Sequence, residues 1–354
     1  MKLLTGSLLL GIIVFPSVSS GEWVTESVLP AQMVYSTSLS LGFGNNPVIA
    51  FCEDGSLRLA FWKDSFWEIV DVLPDDDIRI CSLDLGSTGA PEIAYWRISD
   101  YTIHYIFWDG TSWIDTLIAG GEGGMAGPDC SLCIDSQGNP MISYLFHSSD
   151  SPLCFAQRVG SDWIHSTIDP SLSAVLNVSM DLGVDDTPHV AYFDQANYDL
   201  RYAVRGERFW NVQTVDSEGN VGYDAHIAVD SRNLPHISYM DRTIGALKYA
   251  HYNGEEWEIC IVDSTGDPTG VVETSIRLDS NDLPRILYGV LVGTQMRCAI
   301  YDGSSWAIEP VDGRGHSSSL VLDSDDQPHA AYFRYSYNAQ GLMYAHGDST
   351  DSDK

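Results

Sequence analysis

One short segment recurs seven times along the chain, and no other feature restricts the fold as much. The clearest copies are SLCIDSQGNPMISY from Ser131, HIAVDSRNLPHISY from His226, SIRLDSNDLPRILY from Ser275 and SLVLDSDDQPHAAY from Ser319; weaker ones start at Ser38, Ser82 and Ser179. Prolines mark the period at Pro47, Pro91, Pro140, Pro188, Pro235, Pro284 and Pro328, in steps of 44, 49, 48, 47, 49 and 44 residues. A period of ~20–50 residues marks an array in which each unit buries its apolar face against its neighbours.

Each unit predicts four strands. Strand A alternates, as in Ser319-Leu320-Val321-Leu322. A turn follows with Asp135, Asp230, Asp279 or Asp323 at its first position, and Gly42, Gly86 or Gly183 in other copies, residues that tolerate turn dihedrals or bond the turn backbone. Proline opens strand B, where a missing N–H is tolerated. Strand C is clearest as Leu200–Ala203 and Leu247–Ala250, and a hairpin turn such as Asp109-Gly110 or Asn253-Gly254 leads to strand D. Trp67, Trp113, Trp163, Trp210, Trp257 and Trp306 open strand D in six units, at a scaffold position expected to be buried between neighbours. The seventh unit stops after strand C at Tyr344-Ala345-His346-Gly347, and its missing strand lies at the other terminus, Gly21-Glu22-Trp23-Val24-Thr25-Glu26-Ser27-Val28. Seven four-stranded units therefore predict an all-β, seven-bladed propeller. It is closed by the N-terminal strand pairing near Leu342–His346, which removes an open edge.

The Asp-Ser-x-x-x-Pro-His-Ile-Ser-Tyr, Leu-x-Tyr-Ala and Asp-Gly-x-x-Trp patterns resemble the repeats of secreted bacterial propellers grouped with the sialidase-like, Asp-box (BNR-like) superfamily, over residues 21–347. The resemblance implies the propeller fold and an extracellular role. The Asp-box itself reads Ser/Thr-x-Asp-x-Gly-x-Thr-Trp, whereas Asp302-Gly303-Ser304-Ser305-Trp306 is one residue shorter, and WD-repeat signatures are absent.

Residues 1–20 read as a signal peptide, with Lys2, an apolar run from Leu3 to Phe15 and small residues Val18-Ser19-Ser20. The run is shorter than the ~20 residues a membrane span needs, so no span is expected. The expectation is a single domain over 21–354, secreted to the extracellular space or periplasm, and monomeric. A net charge of −31 repels phosphate backbones and argues against nucleic acid as a partner. Seven cysteines, Cys52, Cys81, Cys130, Cys133, Cys154, Cys260 and Cys298, leave at least one unpaired. Cys130 and Cys133 lie on one strand and point to opposite faces, which excludes a redox or zinc motif, and most cysteines are expected to be small buried hydrophobes.

Chemistry is expected on the face carrying the B–C and D–A loops, which differ from blade to blade. D–A loops include Pro74–Asp77, Gly120–Gly124 and Ser264–Asp267; B–C loops include Trp96–Tyr101 and Phe333–Gln340. Strand A lines the central channel, placing serine at one position in six blades (Ser38, Ser82, Ser131, Ser179, Ser275, Ser319) and His226 in the fifth. Small residues suit strands converging on an axis. Two residues earlier come Asp129, Asn177, Asp224 and Glu273; two later come Asp84, Asp181 and Arg277. With His226, the set Asp129, Asn177, Asp224 and Glu273 forms the candidate ligand site at the channel mouth. Asp224 is expected to raise the His226 pKa. No motif requires a cofactor, though these oxygens are of the kind that hold calcium. His189, His236 and His329 sit on separate blades and are expected to be structural. Arg79, Arg97, Arg242, Arg277, Arg314 and Arg334 are loop-face or channel candidates for a carboxylate-binding triad, but their spacing singles out no three. No nucleophile elbow or complete catalytic motif occurs. The expectation is a binding or scaffold propeller for a glycan, protein or cell-surface ligand; the alternative is a sialidase-like glycosidase or polysaccharide-degrading enzyme with its site at the channel mouth.

Overall fold

The structure is a computed structural model. It describes residues 23–347 apart from 31–32, 75, 87, 122–123, 148–152, 173, 292–294 and 336–339. The expected signal peptide, the ends of the chain, Asp75, Glu122-Gly123 and most of the last B–C loop lie outside the described residues.

Seven four-stranded antiparallel sheets make a β-propeller, and the described residues include no α-helix. The inner A strands are Val34–Leu41, Ile78–Leu85, Met125–Ile134, Val175–Leu182, Val221–Val229, Val271–Leu278 and Gly315–Leu322. All seven marker prolines are the first residue of a B strand, where the ladder does not need their N–H. Trp23–Leu29 is the outer strand of the seventh blade, paired antiparallel with Gly341–Gly347 from Trp23↔Gly347 to Leu29↔Leu342. Closure is as expected.

The repeated turn residues act as caps. In the A–B turn, Asp230 Oδ1 accepts the N–H groups of Arg232 (2.8 Å) and Leu234 (2.7 Å), and Asp135, Asp279 and Asp323 do the same in their blades. The following serine reaches the next blade: Ser231 N and Oγ both donate to Asp282, Ser280 to Asp326, and Ser136 to Asp186. In the C–D turn, Asp302 Oδ1 accepts from Ser304 and Ser305 N–H while Gly303 takes φ +91°, which only glycine adopts without strain. The Asp-Ser and Asp-Gly signatures are thus backbone caps plus one inter-blade tie.

Apolar side chains gather into seven clusters, each spanning two neighbouring blades, so every blade is stabilised by both neighbours. The strand-D tryptophans lie in these seams, half-buried. Most meet an aromatic of the preceding blade edge-on, as Trp257 meets Tyr202 and Trp306 meets Tyr249, both at 5.3 Å between ring centres. They pack between blades as expected, with one edge left in solvent. His189, His236 and His329 are structural: each is buried and hydrogen-bonded through Nδ1 to a strand-C tyrosine, Tyr202, Tyr249 or Tyr344. All seven cysteines are free thiols; Cys52, Cys81, Cys130 and Cys298 are buried, Cys133 and Cys154 half-buried, and Cys260 exposed.

Candidate functional site

The seven A strands enclose a central channel with a cavity of about 750 Å³. Asp129, Asn177, Asp224, His226 and Glu273 all line it, so the structure brings the five candidate residues to one wall. What their side chains do there was not visible in the sequence.

The serine position is a ring of inter-blade hydrogen bonds. Each Oγ accepts a backbone N–H from the next blade: Ser38 from Leu83 (2.9 Å), Ser82 from Leu132 (3.0 Å), Ser131 from Met180 (3.1 Å), Ser179 from Ile227 (3.2 Å), Ser275 from Leu320 (3.0 Å) and Ser319 from Leu39 (3.1 Å). Small size alone does not explain serine there; the hydroxyl oxygen caps a donor that no strand of its own blade reaches. His226 interrupts the ring, and its Nδ1 is buried without a hydrogen-bond partner among the described residues.

The mouth residues make a second ring. Every A strand has a register shift near this level, the extra residue of a β-bulge. Asn177, Asp224, Glu273 and Ser317 occupy it with φ of +52°, +49°, +45° and +54°. Left-handed backbone costs a non-glycine residue roughly 1–2 kcal/mol. The side chains then bridge the seams: Asp129 accepts Val178 N–H at 2.8 Å, Asp224 accepts Glu273 N–H at 3.2 Å and the Asn177 amide at 2.9 Å, and Glu273 accepts Ser317 N–H. Lower in the channel Asp84 accepts Ile134 N–H and Asp181 accepts Val229 N–H, both at 2.8 Å.

Enclosure by the ring disfavours charge and pushes these carboxyls up: Asp84 to about 6, Asp129 to about 7 and Glu273 to about 8, with Asp181 and Asp224 also raised. The Asp224 charge adds to the rise at Asp129 and Glu273; the backbone donors oppose it. His226 moves opposite to the sequence expectation. Burial, with Arg277 second, lowers it to about 3, and the neighbouring Asp224 does not reverse this. It is a neutral imidazole at physiological pH and not a pH sensor. The calcium expectation also fails to find a site: among the described residues no group of three or more His, Cys, Asp or Glu side chains is placed to hold a metal ion.

A raised carboxyl gives a measurable pH dependence. Glu273 is protonated in the folded chain up to about pH 8, against 4.5 ordinarily. The destabilisation it causes grows from pH 4.5 upward and is complete above pH 8. Glu273→Gln is therefore expected to match the wild type near pH 4 and to exceed it at pH 9 by about 1–2 kcal/mol, a figure reduced for channel water. Urea denaturation at the two pH values checks this; an equal difference at both would show that Glu273 is ionised throughout.

The arginine candidates do not converge. Arg79 pairs with Asp77 (3.3 Å) and lies over Tyr35, Arg97 pairs with Asp76 (3.0 Å) and Asp100 (2.7 Å), and Arg334 pairs with Asp312 (3.1 Å). Arg242 stacks on Tyr223, Arg314 on Tyr335, and Arg277 lies in the channel bonded to the Ile276 carbonyl.

Two residues on the loop face escaped the sequence reading. Four B–C loops place a left-handed residue at one position, Gly55, Tyr101, Tyr198 and Gly245, with φ of +83°, +57°, +63° and +65°. Their carbonyls accept an N–H at the start of the following segment, from Ile78, Ala126, Val221 and Thr265. Glycine meets this need in blades 1 and 5. Blades 2 and 4 use tyrosine, whose side chains are 42% and 51% exposed. The signal was present in an alignment of the B–C loops, where tyrosine stands opposite glycine.

No protein-family model matches the chain, and no curated protein matches it. Solved structures do. The chain superposes on the BP39L lectin from Burkholderia pseudomallei with a TM-score of 0.61, 15% identity and coverage of 88% of this chain and 98% of that one. Virginiamycin B lyase from Staphylococcus aureus gives 0.61 at 8% identity, covering 92% and 99%. An α-L-arabinofuranosidase from Fusarium graminearum, solved with an iminosugar inhibitor, gives 0.52 at 12% identity, covering 79% and 95%. At such identities the likeness establishes the propeller fold.

Proposed function

We propose that this chain is an exported, non-catalytic carbohydrate-binding propeller that meets its ligand on the B–C and D–A loop face. The observation that carries the reading is the pair Tyr101 and Tyr198. Each holds a bulky side chain in solvent from a left-handed position that glycine fills elsewhere, so the strain is not required by the fold. A phenol offers an apolar face to the C–H side of a sugar ring and a hydroxyl to its rim. A lectin and an arabinofuranosidase among the structural neighbours support the ligand class, and the Asp-Gly-x-x-Trp turns support placing the chain with the secreted sialidase-like repeats. Export rests on the leader-like residues 1–20.

A glycan array on the mature protein, followed by titration of Tyr101→Gly and Tyr198→Gly, tests the proposal. Relief of left-handed strain and the extra backbone freedom of glycine nearly cancel, so the melting temperature should stay within a few degrees. Each variant should lose about tenfold in affinity, the scale of one stacking contact plus its buried area. Array binding indifferent to both changes would remove the loop face from the reading.

Catalysis at the channel mouth has one observation behind it: Asp129 and Glu273 hold protons near neutrality, the state a general acid needs. Both, however, already accept backbone N–H groups of the next blade. Turnover of chromogenic glycosides, lost in Glu273→Gln, would favour the enzyme.

A further inference from the structure

A second cavity, of about 530 Å³, opens on the opposite face at the seam between blades 3 and 4. Met141 and Phe155 of blade 3 line its inner side, the Asp186–Pro188 and Arg205–Glu207 turns of blade 4 its other side, and Gln157 its rim. Its origin lies in the repeat. In blades 2, 4, 5 and 7 the strand-C tyrosine at the Phe155 position donates or accepts a hydrogen bond with the strand-B residue at the Met141 position: Tyr105 with Glu92, Tyr202 with His189, Tyr249 with His236, and Tyr344 with His329. The registers are equivalent, Ser143↔Phe155 and Met141↔Gln157 in blade 3 matching Ala191↔Tyr202 and His189↔Val204 in blade 4. Blade 3 has neither the hydroxyl nor its partner, so this corner is not closed by a polar bridge. Blades 1 and 6 lack the bridge as well, with Val48 and Leu59, and Arg285 and Cys298.

The lining is chemically mixed. Phe155 is fixed from behind by Trp210, edge-on at 5.2 Å, and by the Arg205 guanidinium above it. Arg205 is itself held by Ser166 at 2.8 Å. The apolar floor is therefore rigid, and it is narrow, with Met141 and Phe155 only 3% and 2% exposed. Gln157 and Glu207 have no hydrogen-bond partner among the described residues, so an amide and a carboxylate at the edge are free to bind. A rigid apolar floor with a few open polar groups, within ~300–1,000 Å³, has the character of a small-molecule site. Asp186 and Glu207 against Arg205 leave the lining net negative, which disfavours an anionic ligand.

We propose that this inter-blade cleft is a second binding site, for one neutral pyranose ring, set with a C–H edge over the narrow floor of Met141 and Phe155 and its hydroxyls bonded to the carboxylates and amide of Asp186, Glu207 and Gln157. The ligand class rests on the carbohydrate reading above; the place does not, since it lies on the other face and uses none of the same residues.

The probes are methyl glycosides of glucose, galactose, mannose, fucose and xylose, with methyl glucuronide as the charged control. A single ring is expected to bind with Kd on the order of 1 mM, within reach of saturation-transfer NMR on the full chain. The decisive variant is the double change Met141→His with Phe155→Tyr, which rebuilds the bridge of blades 4, 5 and 7 inside the cleft and should keep the melting temperature. It is expected to abolish the signal of at least one neutral glycoside, and Gln157→Ala should weaken it at least fivefold. A signal that survives both cleft changes, or no signal from any neutral glycoside while the array still shows Tyr101-dependent binding, overturns the cleft alone. A cleft-dependent signal without Tyr101-dependent array binding supports the cleft and overturns the loop face. Silence in both experiments overturns both.

Discussion

Deletion of Trp23–Leu29 is expected to lower stability by on the order of 5 kcal/mol or more, most of the margin of an ordinary domain. The strand is paired along its length with Gly341–Gly347 and contributes Val28 and Leu29 to the seam between blades 7 and 1. Trp23 packs into the seam between blades 6 and 7, and its side chain also bonds to Glu309 of blade 6. Losing a packed tryptophan costs about 3–5 kcal/mol, and each buried aliphatic side chain roughly 1.5–3 kcal/mol more. The deletion also bares the edge of Gly341–Gly347, a template for pairing with another chain. Guanidinium denaturation and light scattering should show an earlier midpoint together with association. A synthetic peptide spanning residues 21–30, added in trans, should restore much of the midpoint. If the truncated chain melts with the wild type, the ring is not closed through this strand.

That closure was legible because it needs only counting: six tryptophan-led outer strands, a seventh unit without one, and a tryptophan at the other terminus. The prolines were equally plain, since a residue that cannot donate has few places in a sheet. The channel was half legible. A period of two identifies which strand-A side chains face the axis, but the partner of each lies on the next blade, some 45–50 residues away. Serine there looked like a small filler and is a hydrogen-bond acceptor for Leu83, Leu132 and their equivalents. Asp129 and Glu273 looked like a ligand or cation site and are bonded across the seams.

His226 shows why local electrostatics misleads. Asp224, two residues away on the same strand, is the nearest charge in sequence, and a carboxylate beside an imidazole favours the cation. Seven strands converging on the axis remove solvent from all sides, and that burial, with the Arg277 charge second, sets the value. The tyrosines of the loop face and the cleft between blades 3 and 4 were hidden for another reason. Each is a difference between copies of one repeat position, tyrosine against glycine at Tyr101 and Tyr198, and phenylalanine against tyrosine at Phe155. Reading for what recurs discards such differences, although a repeat scaffold has no other place to put what distinguishes one blade from the next.

The second large effect concerns Lys248. It is nearly enclosed, with Nζ 2.6 Å from Asp216 and 3.4 Å from Asp241, and Tyr239 donates to the same Asp216 oxygen at 2.7 Å. Asp216 comes from the end of blade 4 and the others from blade 5, so the group locks two blades; Tyr192–Asp169–Arg201, Tyr288–Asp263–Arg297 and Tyr332–Asp312–Arg334 repeat it at neighbouring seams. Lys248→Met keeps the length of the chain but strands two carboxylates that are only 7% and 3% exposed. Removing one partner of a buried ion pair costs about 3–5 kcal/mol. Burial alone pushes the Asp216 carboxyl up, and the hydrogen bonds from Lys248 and Tyr239 overcome it and hold it below the usual range. In the wild type that depressed value adds stability above pH ~4, lost as pH falls through it. Without Lys248 burial prevails, Asp216 takes up a proton in mild acid, and the deficit of the variant should be largest at pH 7 and shrink towards pH 5. Lys248→Arg should be tolerated, since arginine fills the role at the other seams. Adding Asp216→Asn to Lys248→Met should recover part of the loss at pH 7. If the double variant is no more stable than Lys248→Met, or if the deficit is the same at both pH values, the stranded charge is not the cause and the loss lies in packing.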